Sequence, residues 1–198
     1  MENSQFSLIP GLTRNLNSAL VALRAGQTLL YPTDTLWGIG CDATLPEAVE
    51  KIYTLKRRDP SKAMLVLASE AMLAPGLPAM AADILLHSQR PTTVVMPAEW
   101  LSIPVAHNLP AADGTVGVRV PRMEFCQQLL RALGHPIVST SANFSGEPSP
   151  STYADISPLL RERINCCLPD SPDFPHTPAQ PSRIVRVLPT GEVTVLRE

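Results

Sequence analysis

Hydrophobic residues along this chain recur first at helical spacing, then in short apolar runs, then at helical spacing again. This alternation argues for an α/β fold. Leu16, Ala19, Leu20 and Leu23 share one helical face, and Gly26 offers a stop. Residues 28–31 form a short apolar strand that runs into Pro32. Thr44-Leu45-Pro46-Glu47 reads as a capping box opening a second helix, with Val49, Ile52 and Tyr53 on its buried face. Strands are expected at 64–68, 93–96 and 115–120, with a helix at 79–88 and a loop over 97–114. Phe125, Leu129 and Leu133 mark another helix, closed by Gly134, and a strand at 136–139 leads into a polar turn. A weaker helix is expected within 152–164, where Pro158 suits a first turn. Pro169, Pro172, Pro175, Pro178 and Pro181 form the densest proline group, so that stretch is a long loop over the surface or across a site. Residues 184–188 and 193–196, around Pro189-Thr190-Gly191, read as a closing hairpin. No internal repeat or domain boundary interrupts the pattern, and residues 1–198 read as one domain.

Several function classes are disfavoured by composition. Hydrophobic residues are 44% and charged residues 17%, a globular balance rather than a disordered one. No apolar run approaches the roughly 20 residues that span a bilayer, and the first residues lack a basic-then-apolar leader. A cytoplasmic protein without membrane contact is expected. The net charge of −2 supplies no global basic field for nucleic acid. Cys41, Cys126, Cys166 and Cys167 show no CxxC spacing and read as reduced structural thiols. The four histidines are scattered and suggest no metal site.

Four constellations carry chemistry. Residues 31–38, Tyr-Pro-Thr-Asp-Thr-Leu-Trp-Gly, place two hydroxyls and a carboxylate where a strand ends, either as a ligand-binding turn or as a turn that satisfies its own backbone. Residues 56–62 hold Lys56, Arg57, Arg58 and Lys62, four cations that suit a polyphosphate or, equally, a solvated helix end. Arg119 interrupts an apolar strand, so it either binds an anion or pairs with a buried carboxylate. Residues 139–145 release four hydroxyls and an amide from a buried strand, more than a capped turn requires. The four segments all begin at or near strand ends, which an α/β fold can bring together. GxSxG, GxxxxGK[ST] and GxGxxG are absent, as is a Cys/His pairing. The remaining picture is a site that positions anions and reactants by electrostatics.

In order, YPTDTLWGIGCDA (31–43), LKRRDPSKAMLVLAS (55–69), TVGVRVP (115–121), PIVSTSANFSG (136–146) and PSRIVRV (181–187) closely resemble the YrdC family of threonylcarbamoyl-AMP synthases. The likeness runs from about residue 15 to the end, and the combination of YPTDT, Lys-x-Arg and STSAN is its most specific part. The resemblance implies a twisted, open, mixed sheet flanked by helices around a large concave site. It implies a reaction of ATP, L-threonine and bicarbonate or CO2, assisted by Mg2+ carried on the ATP phosphates, with release of pyrophosphate. A downstream tRNA threonylcarbamoyl-transferase complex would then use the product.

Transferred position by position, the resemblance puts Thr35, Arg119, Ser139 and Ser182 on threonine, with Arg119 gripping its carboxylate. It puts Lys56, Arg58 and Lys62 on the phosphates, Lys56 and Arg58 as the catalytic electrostatic pair. Thr115, Ser141, Asn143, Ser149 and Arg197 would line the nucleotide; no general base is assigned. Residues 88–93 depart from the Trp-Pro-Gly-Pro-x-Thr run of many relatives, and Leu67 stands where many place histidine. A YciO-type paralogue of the same fold is the nearest alternative, opposed by the intact Ser141-Ala142-Asn143. An RNA-binding module is the other. Its footprint, or a weak tRNA contact beside catalysis, would fall on the basic run and be lost on changing Arg57 but not Arg58.

Overall fold

A computed structural model describes residues 10–58, 64–171, 174 and 180–198. The alternating pattern folds as expected into an α/β architecture. Helix α1 (Pro10–Arg24) turns Ala19 and Leu23 fully inward, and Gly26, at φ +63°, ends the turn after it. Strand β1 (Leu29–Tyr31) follows, then β2 (Gly38–Gly40), helix α2 (Pro46–Lys56), β3 (Leu65–Leu67) and α3 (Ala79–His87). Next come β4 (Thr92–Pro97), β5 (Thr115–Arg119), α4 (Glu124–Leu133), β6 (Ile137–Ser141), the one-turn α5 (Pro158–Arg161) and β7 (Cys166–Cys167). The hairpin β8 (Arg183–Val187) and β9 (Val193–Arg197) closes the chain as read.

Among the described residues the strands form a nine-stranded mixed sheet in the order β7-β1-β2-β6-β3-β5-β4-β8-β9. The pairs β1/β7, β3/β5 and β4/β8 are parallel and the rest antiparallel. Helix α1 packs on α4 and on β1 and β7, whereas α3 packs on β4. Helix α4 buries Phe125, Cys126, Leu129, Leu130 and Leu133 and keeps Arg131 outside. Each such apolar side chain stabilises the fold by about 1.5–3 kcal/mol relative to its exposed state.

Two expectations need correction. Thr44 and Glu47 form no capping box: Leu45 is the N-cap, without a side-chain cap bond. The Thr44 amide and hydroxyl instead donate to Asp42 Oδ1, at 2.9 and 2.7 Å, and Pro46 takes the first helical position, which needs no N–H donor. The helix sought in 152–164 shrinks to Pro158–Arg161, because Thr152 spends its amide and hydroxyl on Asp155 in a local turn. Strands β2 and β7 were not anticipated. Of the proline-rich loop, residues 172, 173 and 175–179 lie outside the described residues.

Candidate active site

The cavity floor crosses one face of the sheet, where alternate residues of neighbouring strands point the same way. Gly38 of β2 pairs with Ser141 of β6, Ser139 of β6 with Leu65 of β3, and Leu65 with Gly117 of β5. Arg119 of β5, Thr93 of β4 and Ile184 of β8 extend this floor. The strand-end arrangement expected from the sequence is thus only part of the site; its middle is made of mid-strand residues. The walls come from the 33–37 turn, Arg58 with Met64, Ser149, Pro181 with Ser182, and Arg197, and they enclose about 290 Å³. Glycines keep the floor low. A Cβ on Gly117 would lie 3.2 Å from both Leu65 and Thr93, and one on Gly38 would lie 3.2 Å from Ser139 Oγ.

Arg119 is the most buried cation on this floor, at 3% exposure, and its Nη1 is ion-paired with Asp34 of the 33–37 turn. Asp34 Oδ2 also accepts the Arg122 amide at 3.0 Å. Both sequence readings of Arg119 therefore meet in one place: it has a structural partner, and it lines the cavity. Its buried Nε has no hydrogen-bond partner, so the guanidinium still has donor capacity. Thr35 is held beside it by Thr33, whose Oγ1 lies 3.0 Å from Thr35 Oγ1 and donates to the Leu36 carbonyl at 2.7 Å. Ser182 Oγ lies 2.8 Å from Thr93 Oγ1, and its carbonyl accepts two bonds from Arg197, at 3.2 and 2.6 Å.

Arg58 also lines the cavity, while Lys56 lies behind the wall, 2% exposed. Lys56 Nζ donates to the Ser141 carbonyl and, at 3.1 Å, to Asn143 Oδ1; Ser141 Oγ donates to the same Oδ1. Burial first, and then the charge of Arg58, pull the Lys56 pKa down to about 7, with Glu147 pulling weakly the other way. Burial also lowers the pKa of Arg58 and Arg197.

The cavity lining thus brings together Thr35, Arg58, Arg119, Ser139, Ser141, Ser149, Ser182 and Arg197. Lys56 and Asn143 support it from behind. Thr115 is not brought to it: its amide and hydroxyl are bound by Asp113 Oδ1, at 3.1 and 2.6 Å, at the start of β5. Lys62 lies outside the described residues. Thr33, Asp34 and Thr93 were not singled out individually as site residues. Thr93 sits in the very run that departs from the family pattern, and only its pairing with Ser182 reveals its place. Leu67, fully buried, belongs to the core. All four cysteines are free thiols; Cys41 and Cys126 are buried, which raises their pKa values. No described helix is long and apolar enough to cross a membrane.

A mixed sheet with helices, one face of which lines a cavity with arginines and hydroxyls and with no nucleophile–base pair among the described residues, defines the class of protein: an α/β fold with a polar, cationic cavity. The chain belongs to the Sua5/YciO/YrdC family, whose model, described as telomere recombination, matches residues 21–198. It is 34% identical to a threonylcarbamoyl-AMP synthase of Chromohalobacter salexigens over 150 residues, 74% of this chain and 80% of the relative. It is 32% identical to that of Vibrio campbellii over 160 residues, 76% of this chain and 84% of the relative. The structure of P. abyssi Sua5 complexed with L-threonine superposes with a TM-score of 0.79 at 25% identity, covering 94% of this chain. The chain spans about half of that longer protein, 54%. E. coli YciO superposes with a TM-score of 0.73 at 22% identity, over 93% of this chain and 89% of its own, a likeness of fold.

Proposed function

We propose that this chain is an L-threonylcarbamoyladenylate synthase, a nucleotidyltransferase that joins L-threonine, bicarbonate or CO2, and ATP into threonylcarbamoyl-AMP and pyrophosphate. The observation that carries the reading is a single cavity whose lining combines Arg58, Arg119 and Arg197 with the hydroxyls of Thr35, Ser139, Ser141, Ser149 and Ser182. Arg119, Thr35, Ser139 and Ser182 are proposed to take threonine, and Arg58, Ser141, Ser149 and Arg197 the nucleotide. Relatives at 32–34% identity bear this activity's name, and the Sua5 structure holds threonine.

In this assignment Arg119 receives the threonine carboxylate through charge-assisted hydrogen bonds, while Asp34 keeps the guanidinium in place. The threonine amine, as its free base, adds to CO2 and gives up a proton to solvent to become a carbamate; from bicarbonate the same carbamate forms with loss of water. A carbamate oxygen then forms a bond to the α-phosphorus of ATP, and the bond to pyrophosphate breaks, with pyrophosphate taking the electron pair. Arg58, which lines the cavity, is proposed to stabilise the charge on the departing phosphates, and Lys62 of the same basic run to join it. Lys56 supports this side by fixing Ser141 and Asn143. Among the described residues no three of His, Cys, Asp or Glu gather as a metal site, and the polar side chains of the cavity lining are hydroxyls and arginines. Mg2+ is therefore proposed to arrive on the triphosphate oxygens, where it supplies further charge neutralisation. The product is a reactive mixed anhydride, suited to immediate use by a tRNA threonylcarbamoyl-transferase complex in the cytoplasm.

The test is pyrophosphate release from ATP and Mg2+, with threonine and bicarbonate omitted in turn. Release that needs both supports the synthase. Release with ATP alone identifies a nucleotide hydrolase and overturns the reading.

A further inference from the structure

Arg57 lies between two residues assigned to the nucleotide side, yet it does not line the cavity. It is the only non-glycine residue at positive φ among the described residues (φ 51°, ψ 41°), immediately after α2. The amide of Arg57 bonds the Thr54 carbonyl at 3.1 Å, and that of Arg58 bonds the Tyr53 carbonyl at 3.0 Å. This is a Schellman-type helix end, at which glycine is the usual residue. Here an arginine accepts the left-handed conformation, and its guanidinium sits 4.9 Å from the centroid of Phe144. Phe144 is itself buried, one residue beyond Asn143. Three hydrogen bonds run parallel to this stack: Lys56 Nζ to the Ser141 carbonyl and to Asn143 Oδ1, and the Ser145 amide to the Lys56 carbonyl at 3.0 Å.

We propose that Arg57 and Phe144 act as a positioning latch for the nucleotide side of the site. The stack clamps the turn that presents Arg58 onto the loop that presents Ser141, so these two groups face the cavity at a fixed separation. The inference rests on the synthase reading for its consequence but not for its geometry. Arg57 does not touch the reactants. It acts through Arg58 and through the 141–146 loop, and the left-handed turn is what directs its side chain to the Phe144 ring.

The test uses the full chain with Arg57→Gly, Arg57→Lys and Phe144→Leu. Glycine suits the left-handed position, so Arg57→Gly keeps the helix end and removes only the stack. Hydrogen exchange of the Ser145 amide is read without ligands, and KM is read for ATP and for threonine separately. In Arg57→Gly and Phe144→Leu, exchange and KM for ATP should each rise about three- to tenfold, the scale of one lost cation–π contact. KM for threonine should stay unchanged, and Arg57→Lys should fall in between. Unchanged exchange in both variants overturns the latch, as does faster exchange with an unchanged KM for ATP. Loss of tRNA binding in Arg57→Gly with unchanged exchange also overturns it, in favour of an RNA contact at Arg57. If the wild-type protein shows no threonine-dependent pyrophosphate release, the synthase reading falls, and the exchange rates still decide the latch.

Discussion

Lys56 is enclosed at the end of α2, donating to a carbonyl and a side-chain amide rather than to a carboxylate. Its folded pKa of about 7 lies below the unfolded value of 10.5, so the unfolded chain binds more protons between those limits. Its burial therefore costs stability at low pH, and the cost is relieved as pH rises from about 7 towards 10.5. Lys56→Met should flatten that rise, as read by urea unfolding across this range. A bound triphosphate favours the charged lysine, so ATP binding at pH 8 should take up a proton. Titration calorimetry in buffers of different ionisation enthalpy measures this uptake, and none is expected in Lys56→Met. Asp34 offers a second residue-level test. Asp34→Ala leaves Arg119 charged and nearly buried without its partner, which should destabilise the protein by about 3 kcal/mol in denaturant unfolding. Arg58→Ala removes a cation from the cavity wall. It should slow pyrophosphate release about tenfold or more in a steady-state assay.

Strand β2 shows how a site depends on an element with almost no side chains. A Cβ on Gly40 would lie 2.1 Å from the Val138 carbonyl oxygen, so the chain can pass β6 this closely only with glycine at position 40. Gly40→Ala should therefore destabilise the fold by about 3 kcal/mol, visible as a lower unfolding midpoint. The same residues explain why β2 escaped sequence reading. Two glycines show neither apolar alternation nor β propensity, and the strand exists because β1 and β6 flank it. Helices α1 and α4 were legible because their apolar residues repeat at the helical period. The helix start at Pro46 was misread because Thr44 and Glu47 fit a capping pattern, whereas Asp42, nearer in the chain, captures Thr44. In the site, the hydroxyl cluster of β6 and the cations of α2 stood out by their density. Thr93 did not, because a threonine near a strand start is ordinary until Ser182, 89 residues away, is folded against it.

Across the whole molecule, the sheet order sets β2, β6, β3, β5, β4 and β8 side by side, and this is what turns distant segments into one cavity. The cavity lining draws on both ends of the chain: Thr35 from the turn after β1, Arg197 from β9. A ligand filling this cavity would bind only the folded state and should raise the thermal midpoint with the logarithm of its concentration over Kd. The most direct measurement is the mass of the adenylate formed from ATP, threonine and 13C-labelled bicarbonate. A threonylcarbamoyl-AMP heavier by the isotope difference is the expected product. AMP or ADP alone, with no adduct carrying both the label and threonine, would contradict the synthase function.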